Sequence, residues 1–344
     1  MQFSHTWQPP RDWLHITTID AHTAGEPLRV ITSGYPNLKG VSILDKRAYA
    51  RENLDHIRTA LMWEPRGHAD MYGCIVTEPA APDGDLGVIF LHNEGYSTMC
   101  GHGIIGLVKV ALDMGMLQME GENPEIKIDT PAGRITALAF RENGIVQRVS
   151  FINVPSFVYA LDQQVNVAGI GEVRYDIAFG GAFYVFCEAE PLGIELSSDS
   201  YRKLIDVGMR IKLAVMDSVE ISHPFEEDLS FLYGTIFTGR ARNPDHHSRN
   251  VCIFADGELD RCPTGTGVSA RAAIHFARGE LVLNEPFIVE SILGTTFECE
   301  ALNQTIFGTY DAVNPRVTGS AYITGRNEWL IDPTDPLRDG FFLR

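Results

Sequence analysis

Positive charge is scarce in this 344-residue chain, where 28 Lys and Arg stand against 45 Asp and Glu for a formal net charge of −17 at pH 7. Such a surface repels phosphate backbones and anionic lipid, so neither nucleic acid nor membrane is an expected partner. No apolar run approaches the ~20 residues that a helix needs to cross a bilayer. The opening MQFSHTWQPPRDW has neither the basic nor the apolar stretch of a secretory leader, and the expected location is cytoplasmic. Paired cysteines are also lacking. Cys74, Cys100, Cys187, Cys252, Cys262 and Cys299 occur singly, without CxxC spacing, in a chain large enough to fold without disulfides. Reduced thiols are therefore expected, each to be judged on its surroundings.

What is present is a globular composition, 44% hydrophobic and 21% charged, in a chain of a length that suits two domains. The organisation is internally repeated. MYGCIVT at 71–77 matches LYGTIFT at 232–238, with Tyr72/Tyr233, Gly73/Gly234, Ile75/Ile236 and Thr77/Thr238 identical. CGHGIIGLVKVALDMGML at 100–117 aligns without a gap on TGTGVSARAAIHFARGEL at 264–281, with Gly101/Gly265, Gly103/Gly267, Gly115/Gly279 and Leu117/Leu281 coinciding. Two blocks in the same order at nearly the same offset indicate two structurally equivalent halves.

Around each block lie short β-rich segments, such as 14–19, 28–32, 86–91, 126–128 and 135–140, with 183–186, 251–254 and 287–292 in the second half. Gly- and Pro-rich turns separate them. The exception is the run after each Gly-x-Gly. Residues 104–114 are apolar almost all round, so that helix must be buried, and Gly115 and Gly279 stand where a C-terminal cap glycine belongs. The expected class is α+β, each half a curved sheet wrapped around one central helix. A second, amphipathic helix is expected on the surface at 197–214. The expected division is 1–155 and 156–324, with 325–344 returning to pack on the first half.

Both central helices begin with a small polar residue followed by Gly-x-Gly, Cys100-Gly-His-Gly103 and Thr264-Gly-Thr-Gly267. Glycine lets a ligand approach the backbone, and the free N–H groups and dipole of a first turn favour an anion, most naturally a carboxylate. If the halves face one another, both N-termini can converge on one carboxylate, with Cys100 and Thr264 on opposite sides of the bound molecule. A thiol at a helix N-terminus is expected to ionise more readily than its usual ~8.5, which makes Cys100 a candidate base. The competing reading is a small buried hydrophobe. Cys100 with His102, or the His246-His247 pair, matches no zinc spacing, so no metal is expected. Neither turn has the Walker lysine or the GxGxxG of a nucleotide fold.

Ser97-Thr-Met-Cys-Gly-His-Gly103, Asp260-Arg-Cys-Pro-Thr-Gly-Thr-Gly-Val-Ser-Ala270 and Ile19-Asp-Ala-His-Thr-Ala-Gly-Glu-Pro27 resemble the motifs of the proline racemase family over essentially the whole chain. The resemblance implies the diaminopimelate-epimerase-like fold, two pseudo-symmetric β-barrel-like halves each around a central helix, with the site in the cleft between them. It also implies catalysis without a cofactor on a small amino-acid substrate. In the family's racemases and epimerases both helix starts carry cysteine, one thiol for each face of the α-carbon. Here the second position is Thr264, too weak an acid to serve. The Cys/Thr pair resembles that of the family's trans-3-hydroxy-L-proline dehydratases. A 4-hydroxyproline 2-epimerase or proline racemase is the alternative, and an inactive amino-acid-binding protein is a rival from another class.

By position, the resemblance assigns Cys100 and Thr264 to catalysis. It places His102 and Asp260 at the ring nitrogen, the backbone of Gly101, Gly265 and Thr266 at the carboxylate, and Phe254 against the ring. Cys262, before a proline and outside the helix start, is expected to be structural, as are Asp20, His22 and Glu26 of the N-terminal motif. Whether the chain forms a homodimer is left open.

Overall fold

The computed structural model describes residues 7–343, so residues 1–6 of the N-terminal segment read above, and Arg344, lie outside it. The first half holds β1 (Leu14–Thr23), β2 (Glu26–Ser33), α1 (Ile43–Asn53), α2 (Asp55–Met62), β3 (Tyr72–Thr77), β4 (Leu86–His92), β5 (Tyr96–Ser97), α3 (Gly101–Asp113), β6 (Glu125–Thr130), β7 (Gly133–Glu142) and β8 (Ile145–Ile152). The second holds β9 (Ser156–Val167), β10 (Gly171–Phe179), β11 (Phe183–Glu188), α4 (Tyr201–Ser218), β12 (Leu232–Gly239), β13 (Ser248–Phe254), β14 (Glu258–Leu259), α5 (Gly265–Ala277), β15 (Phe287–Glu290), β16 (Thr296–Phe307) and β17 (Tyr310–Gly319). The chain returns to the first half as β18 (Ala321–Ile331).

The duplication is explicit in the pairing. In the first half neighbours run β18, β1, β2, β3, β4, β6, β7, β8, with β2–β3 and β4–β6 parallel and the other pairs antiparallel. In the second they run β9, β10, β11, β12, β13, β15, β16, β17, with β11–β12 and β13–β15 parallel at the corresponding places. The second ring closes through β17–β9, and β17 also pairs with β8, which joins the halves in one sheet. The architecture is therefore α+β, two sheet-wrapped helices related by pseudo-symmetry.

Every residue of α3 from Gly101 to Leu112, and of α5 from Gly265 to Ile274, is buried. A helix apolar on all sides is stable only when enclosed, and the curved sheets supply the enclosure. Gly115 (φ 71°) and Gly279 (φ 70°) end the two helices in the left-handed conformation. A smaller core, including Ile16, Ile57, Leu61 and Ile89, lies beneath α1 and α2 on the outside of the first half. The amphipathic surface helix begins later than expected, because residues 198–200 form a separate 3-10 turn before α4. It buries Leu204, Val207, Gly208, Ile211 and Val215 at helical spacing.

Candidate active site

The two buried helices meet start to start. A Cβ built on Gly101 would lie 2.7 Å from the Cα of Gly265, so only glycine at both positions permits this approach. Around the junction Tyr72, Cys100, His102, Tyr184, Tyr233, Phe254, Asp260, Thr264 and Thr266 line a small cleft of about 20 Å³. That is room for about one water, less than a five-membered ring occupies. All eight residues singled out from the sequence (Cys100, Gly101, His102, Phe254, Asp260, Thr264, Gly265 and Thr266) are brought together here.

The two helix starts differ in detail. Cys100 caps α3 from an extended conformation, its sulfur accepting the Gly103 N–H at 3.2 Å, and lies 3.1 Å from His102 Nδ1. Thr264 precedes α5 at φ 67°, a strained value for a β-branched residue, and makes no side-chain cap. Its hydroxyl instead donates to Asp260 Oδ2 at 2.7 Å, while Asp260 Oδ1 accepts the Cys262 N–H at 2.8 Å. The proton of Thr264 is thus directed at a carboxylate, and Asp260 is held from two sides. Tyr184 fixes Thr266 through a 2.7 Å hydroxyl contact.

The expectation of a readily ionised Cys100 is corrected. Complete burial pushes the thiol well above its ordinary value, assisted by the carboxyls of Asp260 and Glu26, and outweighs the opposing hydrogen bonds of Gly103 N–H and the Tyr72 hydroxyl. Desolvation of the charged form here exceeds the help of one helix start. Burial also lowers His102 to about 4, so its ring is neutral at pH 7, and it donates to the Pro27 carbonyl. In this closed form Cys100 and His102 are a neutral thiol–imidazole pair.

The remaining expectations sort by position. Cys262 is fully buried with its sulfur accepting the Thr264 N–H, consistent with a structural role. Asp20 pairs with Arg29, and His22 accepts from the Gly25 N–H. Glu26 reaches further: it crosses to the other half and accepts the Arg261 N–H at 2.6 Å, and burial beside Asp260 pushes its carboxyl well above the usual carboxylate range. His246 bonds Glu290. Among the described residues, the group with metal-ligating potential is His102, Asp260 and Cys262, where both Asp260 oxygens already accept hydrogen bonds. The sequence reading missed Tyr72, Tyr233, Tyr184 and Met99 as cleft residues. A signal for two of them existed, since Tyr72 and Tyr233 are identical in the repeat.

A family model described as proline racemase matches residues 18–342. A trans-3-hydroxy-L-proline dehydratase of Colwellia psychrerythraea is 52% identical over 98% of this chain and 96% of its own. A Burkholderia ambifaria protein of the same name is 43% identical, and a Clostridioides difficile proline racemase 41%, each over 96% of this chain and 98% of theirs. A hydroxyproline epimerase of Agrobacterium vitis, solved with bound trans-4-hydroxy-L-proline, superposes with a TM-score of 0.91 at 28% identity over 96% of both chains. In fold and sequence alike, this chain belongs to the proline racemase family.

Proposed function

We propose that this chain is a trans-3-hydroxy-L-proline dehydratase, a hydro-lyase that forms Δ1-pyrroline-2-carboxylate with its own side chains and no cofactor. The observation that carries the reading is the inequality of the two helix starts. One presents a thiol, and the other a threonine whose hydroxyl proton already points at Asp260. Inversion at an α-carbon needs an acid on the face opposite the base, and this site offers none there. Relatives 43–52% identical that bear the dehydratase name support the same choice over a 4-hydroxyproline 2-epimerase or proline racemase.

The substrate's stereochemistry suits a one-sided site. In trans-3-hydroxy-L-proline the hydroxyl and carboxylate lie on opposite ring faces, so the α-hydrogen shares a face with the hydroxyl. Cys100 thiolate takes the α-proton on that face and water leaves from the same side, a syn elimination. The resulting enamine tautomerises to the cyclic imine. Charge developing at the α-carbon spreads into the carboxylate, gripped by the N–H groups of Gly101, Gly265 and Thr266 at the two helix starts. Asp260, with His102, holds the ring nitrogen as ammonium, which acidifies the α-carbon. Phe254 lines the ring.

Substrate entry also bears on the base. Opening the cleft hydrates Cys100 and places the cationic ring nitrogen near it. Both changes favour thiolate, reversing the burial that holds the thiol protonated in the closed form. The test is a proton NMR time course of trans-3-hydroxy-L-proline with purified protein in deuterated buffer. Loss of the C3 carbinol signal with appearance of the imine is the expected result. α-Deuteration with the hydroxyl retained would instead identify an epimerase, and an unchanged spectrum a binding protein.

A further inference from the structure

Syn elimination needs a proton for the departing hydroxyl as well as a base for the α-proton. The cleft contains a hydroxyl poised for that role. Tyr233 is 7% exposed, lines the cleft beside Cys100 and Asp260, and its hydroxyl is buried without a hydrogen bond of acceptable geometry. Its nearest polar neighbour is the Tyr72 hydroxyl, with which it makes at most a loose, poorly aligned hydrogen bond. Tyr72 occupies the equivalent position in the first half, but its hydroxyl is committed at 2.5 Å to Ser97 Oγ. The two rings are held by packing: Tyr233 against Phe254 (5.4 Å) and Tyr184 (5.9 Å), Tyr72 against His102 (4.6 Å). An unsatisfied hydroxyl in a native core is costly and calls for an explanation. A partner that arrives with the substrate supplies one.

We infer that Tyr233 binds the C3 hydroxyl of the substrate and delivers the proton with which it leaves as water. This deepens the dehydratase reading and rests on it. The balance closes within the site. The α-C–H bond breaks, its proton going to Cys100 sulfur and its electron pair forming the double bond to C3. The C3–O bond breaks, and its pair stays on oxygen, which takes the Tyr233 proton. The Cys100 thiol then returns its proton to the Tyr233 phenolate, directly or through the Tyr72 hydroxyl, restoring thiolate and phenol. Burial keeps Tyr233 protonated at neutral pH, as a proton donor must be. Tyr233 also provides the contact by which the site distinguishes a 3-hydroxylated ring from proline.

The experiment is Tyr233→Phe, with dehydration and α-deuteration followed together by proton NMR in deuterated buffer. Dehydration should fall by roughly 10²–10³-fold, the scale of a lost general acid. Cys100 still abstracts the α-proton, so recovered trans-3-hydroxy-L-proline should now carry α-deuterium. Since the change removes only a hydroxyl with no well-formed hydrogen bond, Tm should hold or rise. Dehydration at the wild-type rate would overturn the inference in favour of the Cys100 thiol as its own donor. Parallel loss of dehydration and exchange would reduce Tyr233 to a packing role. A wild-type protein that exchanges without dehydrating would refute the functional reading itself, which the variant's behaviour alone cannot do.

Discussion

Gly101→Ala tests how firmly the two helix starts are locked together. The new Cβ would lie 2.7 Å from Gly265 Cα, 3.2 Å from Gly265 carbonyl carbon and 3.0 Å from Phe151 Cζ. Carbon atoms rest about 3.5–4.0 Å apart, so the helix starts must separate by ~1 Å. Neither helix yields readily, because each is enclosed by its own sheet. Overpacking of this kind costs ~1–3 kcal/mol of stability. The catalytic effect should be larger, since the N–H groups assigned to the substrate carboxylate move with the backbone, and ~1 Å of misplacement costs ~10²-fold. The assay is kcat/KM for trans-3-hydroxy-L-proline alongside Tm. Gly208→Ala is the control: its Cβ would meet Ile253 Cγ1 at 2.7 Å beneath α4, a similar overpacking that moves neither helix start. The control should lose stability and keep most of its activity. Gly101→Ala with kcat/KM within threefold of wild type and an unchanged Tm would refute the reasoning, and equal activity losses in both variants would show that the effect is generic.

Cys100→Ser should remove at least ~10²–10⁴-fold of turnover while the protein stays folded, and a variant keeping most of its activity would exclude the single-thiolate mechanism. Thr264→Cys should give slow α-epimerisation of proline-like substrates, read by chiral chromatography. Absence of inversion in a folded, ligand-binding variant would mean that placement, beyond chemistry, blocks the second face. Stability should fall between pH 7 and pH 5, measured as urea midpoints. Burial holds His102, His223 and His275 at about 4, whereas the unfolded chain takes up their protons near 6.5. Their contribution is therefore complete above pH 6.5 and declines as pH falls toward 4, at up to about 1.4 kcal/mol per unit and most strongly for the fully enclosed His102. Glu26 and Glu94, whose carboxyls burial raises, work in the opposite direction, but they are two groups against four, because burial lowers His247 as well. A midpoint that stays level or rises toward pH 5 would contradict this.

The sequence was most legible where a physical constraint left a repeated trace. Gly101 and Gly265 are glycine because the helix starts touch, and Gly115 and Gly279 because the helices end in the left-handed region, so both pairs were visible as repeats. The buried run of α3 was legible because its apolar residues circle the helix. The ionisation of Cys100 was not. A helix start can be read from local sequence, whereas the burial that overrides it, and the charges of Asp260 and Glu26 that add to it, come from how distant segments pack around the thiol. The cleft tyrosines were seen as markers of duplication and not as site residues, since nothing local distinguishes a Tyr that packs from one whose hydroxyl lacks a partner. Glu26 gave no sign of crossing to Arg261, because that contact depends on how the halves close.

The exchange of β18 has a consequence for biosynthesis. β1 pairs along its whole length, Leu14 to Thr23, with residues 321–331, which follow the entire second half in sequence. An emerging N-terminal half therefore carries an unmatched strand edge until residues 321–331 have been made, whereas the second ring draws all its strands from its own stretch of sequence. Order of synthesis and order of completion are inverted, so the half that bears the thiol is the last to be sealed. A ribosome that stops before residue 321 releases a chain with an exposed β1 edge.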